Sequence, residues 1–235
     1  MRRLAVEHAK EGFSRAAKKL WNELVVCDSL PVLEASEGGC MFRHILAAMA
    51  VTFSAPTLAQ NTAPSSPAPS GLNQKLINVP GTSWNVYGPN QSTKRLETDG
   101  PKGYPAIRAT IARRGTNAWD SGATSLVPKP VAAGDAILVA VYLRAPELKD
   151  GETLEISLVG ATGATAPYPA IAGEKAMLTN QWKVFFASGK APQAFAANGV
   201  QATVHLAGAK QVVDLGPVQV YDFGQGFDLS RLPRN

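Results

Sequence analysis

Residues 71–235 are predicted to form an all-β sandwich on three observations. Apolar and polar residues alternate with a period of two, Gly and Pro recur between the alternating runs, and turn signals such as Asp99-Gly100-Pro101, Ala133-Gly134-Asp135 and Asp150-Gly151 separate them. The stretch holds 165 residues, enough to bury a core without disulfides. Ahead of it the chain divides into an extension over residues 1–40, a signal peptide over 41–59 and a Pro/Ser-rich linker over 60–70.

The extension has two readings. Val6, Phe13, Ala17, Leu20 and Leu24 fall near one face of a helix, with Trp21 beside them. An export signal normally begins at the first methionine, however, so a misplaced start codon is the simpler account and the extension is given no function. From Met41 the three parts of a secretory signal follow in order: basic Arg43 and His44, an apolar run from Ile45 to about Phe53, and small residues at Thr57 and Ala59 that place the cut before Gln60. The run is too short to span a bilayer, so no stable membrane insertion is expected. Cys40 precedes the run rather than following it, which excludes a lipid-anchor cysteine. Cys27 and Cys40 are the only cysteines, and a product cut after Ala59 has none. A periplasmic or secreted protein is therefore expected, displayed on the spacer Asn61–Ser70.

Seven or eight strands are predicted beyond the spacer, the clearest over 106–113, 137–144, 153–159, 182–187, 200–206 and 218–223. Ile107, Ala109 and Ile111 should face the core while Arg108, Thr110 and Ala112 face away. Near the end Val200, Ala202, Val204 and Leu206 take the core side, and Gln201, Thr203 and His205 point outward. Ile137 to Leu143 is apolar at nearly every position, so this strand is covered on both faces or lines a cleft.

Charge narrows the partners. The chain carries a formal +5, and from Gln60 onward 16 Lys and Arg stand against 12 Asp and Glu with no basic stripe. Arg113-Arg114 is the densest positive spot and reads as a solvated strand end, so nucleic acid is not an expected partner.

Gly134-Asp135 followed by Ala-Ile-Leu-Val-Ala-Val-Tyr142-Leu-Arg144-Ala145 resembles a strand of carbohydrate-binding modules of the family 4 and family 9 type. Asn117-Ala118-Trp119-Asp120 resembles their Asn-Pro-Trp-Asp stretch, with Ala118 in place of proline. Gln181-Trp182-Lys183 is similar to their entry to a later strand, and Val213 to Asp222 to their last strand. The resemblance implies a jelly-roll β-sandwich that binds a glycan on one sheet, without catalysis, often with a structural calcium ion and alongside a polysaccharide-degrading enzyme.

A sugar presents flat C–H faces, so its site needs open aromatic rings with hydrogen-bonding side chains beside them. Trp119, in the polar loop Gly115 to Gly122, is the leading platform, and Trp84 and Tyr87 follow from a second polar segment. Trp182 reads as packed. Arg108, Arg144, Gln181 and His205 are the candidate polar contacts, although each arginine reads equally well as the partner of a carboxylate.

Catalysis has fewer candidates. His205 is the only histidine after the linker and no cysteine accompanies it, which excludes Cys/His chemistry and zinc clusters there. Asp99, Asp135, Asp150 and Glu152 read as turn formers, leaving Asp120 as the one acid beside a candidate platform. A glycan-binding module is thus expected, its alternative being a structural or protein-interaction sandwich of the cell envelope.

Overall fold

The period-two alternation is realised as strands that send every second side chain between two sheets. The computed structural model describes residues 71–235; the extension, signal peptide and linker expected ahead of Gly71 lie outside the described residues. Ten strands are found there: β1 (Asn85–Tyr87), β2 (Gln91–Leu96), β3 (Ala106–Ile111), β4 (Gly122–Val127), β5 (Ala136–Arg144), β6 (Leu154–Gly163), β7 (Ala170–Leu178), β8 (Lys183–Lys190), β9 (Val200–His205) and β10 (Gln211–Asp222). One sheet runs β1-β4-β9-β6-β7 and the other β2-β3-β10-β5-β8, with antiparallel pairing throughout.

Strands β3 to β10 have the jelly-roll order, β3-β10-β5-β8 in one sheet and β4-β9-β6-β7 in the other, and β1 and β2 each extend one edge. No helix among the described residues is long and apolar enough to cross a membrane.

The core lies where alternation places it. Ala109, Ile111, Val200, Ala202, Val204 and Leu206 are buried together with Val139, Val141, Ile156, Val159 and Leu215. Ile107 packs against this core from a half-buried position. Burying each Val, Leu or Ile contributes about 1.5–3 kcal/mol, offset largely by the ordering of the chain. Four strands were not among the clearest runs. In β2, five of six residues are at least partly exposed, so this edge strand has no apolar side to betray it. Strands β1, β4 and β7 are short or broken by Gly, polar and charged residues.

Strand β5 is covered on both faces, one of the two arrangements expected for it. Its inner residues join the main core, while Leu138 and Ala140 belong to a second apolar cluster with Leu72, Phe186, Tyr221 and Leu232. Leu76, Phe223, Phe227 and Leu229 pack against that cluster. The two ends of the described chain therefore lie over one sheet and seal part of its outer face. The Asn235 side chain completes the seal, accepting from the Phe186 N–H at 2.7 Å and donating to the Lys175 carbonyl at 2.9 Å.

Beyond this cluster the same face is closed by charge. The Asp214 side chain has no exposed surface, and its carboxylate accepts from Arg108 Nε at 2.7 Å and from Arg144 Nε at 2.7 Å. Arg144 reaches Asp99 at 2.6 Å and lies over the Trp182 ring, 4.8 Å from its centroid. The Trp182 indole N–H donates to the Asp99 carbonyl at 3.1 Å. Removing the Asp214 carboxylate leaves two partly exposed arginines that keep Asp99 nearby, so the loss is that of its charged hydrogen bonds, about 1.5–3 kcal/mol. Asp214→Ala is expected to lower unfolding stability by about that amount in urea titration. Replacing Arg108, Asp214 and Arg144 together by Met, Leu and Met should cost less than the single change.

Candidate functional site

The outer face of the β1-β4-β9-β6-β7 sheet contrasts with the covered one. Register places most of its outward residues in three rows across the strands, with Met177 and the Lys175–Glu155 ion pair facing outward on β6 and β7 beyond them. The first holds Tyr87, Gly122 and His205; the second Asn85, Thr124, Thr203, Gly160 and Gly173; the third Leu126, Gln201, Thr162 and Ala170. None of these positions carries a charged side chain. Hydroxyls, amides and an imidazole remain, among them the Gln201 amide, which donates to Thr162 Oγ1 at 3.4 Å.

Aromatic rings frame the rows. Trp119 is 58% exposed, and its indole meets His205 edge to face, with centroids 6.1 Å apart and planes at 60°. The loop carrying it is built to hold that pose. Asp120 accepts from the Asn117 N–H at 2.9 Å and from the Asn117 amide at 3.3 Å. The loop is pinned to the end of β9 by Gly115 N–H to the Ala207 carbonyl and Ala207 N–H to the Ala118 carbonyl, each at 2.9 Å. The hydrogen bond from the Asn117 backbone holds Asp120 below the usual carboxylate range, consistent with a loop-forming role for this acid.

Tyr87 lies flat over Gly122. A Cβ on Gly122 would come within 2.6 Å of the Tyr87 hydroxyl and 2.7 Å of the Val204 carbonyl, so only glycine admits this ring position. Burial first, and then the neighbouring Tyr168 phenol, raise the Tyr87 pKa. Tyr168 itself is 56% exposed and comes from the β6–β7 turn with φ at 54°. It was not among the expected site residues. Its signal in the sequence was a tyrosine between Pro167 and Pro169, where a turn leaves the side chain little to pack against.

Trp119, Tyr87 and His205 are thus brought together on one face. The other expected site residues are not. Trp84 is a core residue, 7% exposed, whose indole N–H donates to the Gly216 carbonyl at 2.8 Å; the apolar residues that surround it are distant in sequence, so the polar neighbours on either side were a poor guide. Arg108 and Arg144 stand on the opposite sheet, held by Asp214 and Asp99, the carboxylate pairing that was the alternative for both. Gln181 is exposed in the β7–β8 turn beside Asn180 and Trp182, away from Trp119.

Burial first, and then the neighbouring Asp135 carboxylate, raise the Asp222 pKa. The two acids sit at the β5–β10 end of the covered sheet, not on the aromatic face. The calcium ion implied by the resemblance takes about six to eight oxygen ligands, and no three of His, Cys, Asp or Glu gather for a metal among the described residues. The side chains described here do not supply its carboxylate set.

No protein-family model and no curated protein matches this chain. Several solved structures are similar to it. One is the CBM22-1 and GH10 modules of Clostridium thermocellum endo-1,4-β-D-xylanase 10B complexed with xylohexaose: identity is 15%, the TM-score 0.47, and the match covers 63% of this chain and 29% of that one. Another is the second N-terminal cellulose-binding domain of Cellulomonas fimi β-1,4-glucanase C, at 16% identity and a TM-score of 0.47, covering 63% of this chain and 94% of that one. A third is the CBM22-1 xylan-binding domain of Paenibacillus barcinonensis Xyn10C, at 16% identity and a TM-score of 0.41, covering 60% and 88%.

His205 supplies a pH test. Burial lowers its pKa below the ordinary 6.5, because desolvation disfavours the charged ring. The fold favours the neutral imidazole, so its contribution to stability is whole above pH 6.5 and declines as pH falls through that value toward the folded midpoint. An NMR titration should give His205 a midpoint below 6.5, assigned by the loss of its signals in His205→Gln.

Proposed function

We propose that the outer face of the β1-β4-β9-β6-β7 sheet binds a glycan chain without catalysis. The observation that carries the reading is Trp119, an open indole propped on His205 at the border of an uncharged field of threonine, glutamine and asparagine side chains. A pyranose lays its C–H face on such a ring, while neighbouring hydroxyls and amides exchange hydrogen bonds with its own hydroxyls. Tyr168 and Tyr87 extend the aromatic contact beyond one ring, so an oligosaccharide suits the face better than a monosaccharide. Glycines 160 and 173 in the middle row serve packing within the sheet, since a Cβ on Gly160 would collide with the Ala172 carbonyl and one on Gly173 with the Leu158 side chain.

A shallow face buries few ligand atoms, and affinities are expected at roughly micromolar to millimolar. Isothermal titration with xylo- and cello-oligosaccharides should show saturable binding. Trp119→Ala should weaken it by about tenfold or more, equivalent to about 1.4 kcal/mol. Heat traces that stay flat for every glycan would leave only the envelope-scaffold alternative.

Export belongs to the same proposal, since polysaccharides of this kind are met outside the cytoplasm. The support is the three-part signal between Met41 and Ala59. Mass spectrometry of the protein recovered from a secreting host should find an N-terminus at Gln60, and recovery of the intact chain in the cytoplasm alone would refute the signal.

A further inference from the structure

On the covered sheet, between the terminal apolar cluster and the arginine–aspartate network, the pairing of β10 with β5 slips between Leu215 and Val218. Beside this irregularity lies a hollow of 80 Å³, lined by Tyr104, Tyr142, Pro101, Pro217, Lys102 and Gln219 among others. That volume is several times the roughly 15 Å³ that admits one water. Gly216 stands where any side chain would collide: a Cβ there would meet Tyr142 Cβ at 2.9 Å and Pro101 at 3.2 Å. Tyr104 is 40% exposed. Lys102 is held at the rim with φ at 53°, a conformation that residues other than glycine keep only where their surroundings dictate it.

We propose that this hollow is a second saccharide site, taking one sugar residue on the side of the molecule opposite Trp119. The ring's C–H face lies on Tyr104 and its edge reaches Tyr142, while the Gln219 amide donates to its hydroxyls. Proline walls surrender no rotamer freedom when a ligand enters, so a small site of this kind loses little to ordering. A proline-rich peptide is the competing occupant for Tyr and Pro surfaces, but such peptides track along open grooves over several residues. This hollow, at 80 Å³, is a single small depression, and the Gln219 amide at its lining suits a sugar hydroxyl.

The site shares no residue with the glycan face, so either can fail alone. With both filled, one molecule bridges two glycan chains or two stretches of one chain, gaining avidity without any new contact.

The test is NMR of the full chain carrying Trp119→Ala, titrated with cellobiose and xylobiose. The amides of Tyr104, Tyr142 and Gln219 should shift with saturation at about 10 mM or above, as expected for a ligand of few contacts. The shifts should vanish in Tyr104→Ala and weaken in Gln219→Ala, with the remaining spectrum unchanged. Resonances of the hollow that stay fixed at about 100 mM sugar would overturn the proposal, whether or not the wild-type Trp119 face responds. A response to a synthetic peptide of residues 61–70 and not to the sugars would overturn it as well and assign the hollow to proline.

Discussion

Burial of alternate strand residues between two sheets is the interaction on which the rest of this molecule depends. It consumes one face of each sheet and leaves two outer faces to be dealt with. The chain treats them differently. On one sheet Leu72, Leu232 and their neighbours lie over β5, and the Arg108–Asp214–Arg144 network closes the ground beyond. On the other, no terminal segment and no arginine network lies over the rows that run from Tyr87 to Ala170, although Thr203 is buried among its neighbours and the Leu158 side chain stands over Gly173. A sheet face left bare is usually polar and charged; here the Lys175–Glu155 ion pair stands toward the β6–β7 side, while the rows beside Trp119 hold no charged side chain and are bordered by aromatic rings.

Much of the architecture was legible because it is local. Period-two alternation located β3, β5, β6, β8 and β9, and in β3 and β9 it identified which residues meet the core. The doubly apolar pattern of β5 pointed to a double cover or a cleft, and the fold supplies the cover. Edge strands escaped notice for a physical reason: β2 buries only Leu96 fully, so its sequence, Gln-Ser-Thr-Lys-Arg-Leu, obeys solvent more than the pleat. The bulged course of β10 hid its first half in the same way, since Gly216 and Pro217 interrupt the alternation.

The site was legible where a residue's surroundings are its sequence neighbours and illegible where they are not. Trp119 sits in a loop whose hydrogen bonds run among residues 115 to 121 and the adjacent end of β9, so its exposure could be read from the polar segment around it. Trp84 lies in an equally polar segment, yet its indole is claimed by Gly216, 132 positions away. Arg108 and Arg144 alternate outward as expected, but alternation cannot say which sheet's outer face a residue joins. That assignment follows from the crossing of the chain between sheets, and it put both arginines beside Asp214 instead of beside His205.

The shared anchorage of the two ends of the described residues has a mechanical corollary. Leu72 and Leu232 are buried in the same cluster on the back of the molecule, so a tether joined at either end departs from the side turned away from Trp119. Tension on such a tether acts along the normal of the aromatic face, so it loads the contacts of that face together instead of peeling them from one border.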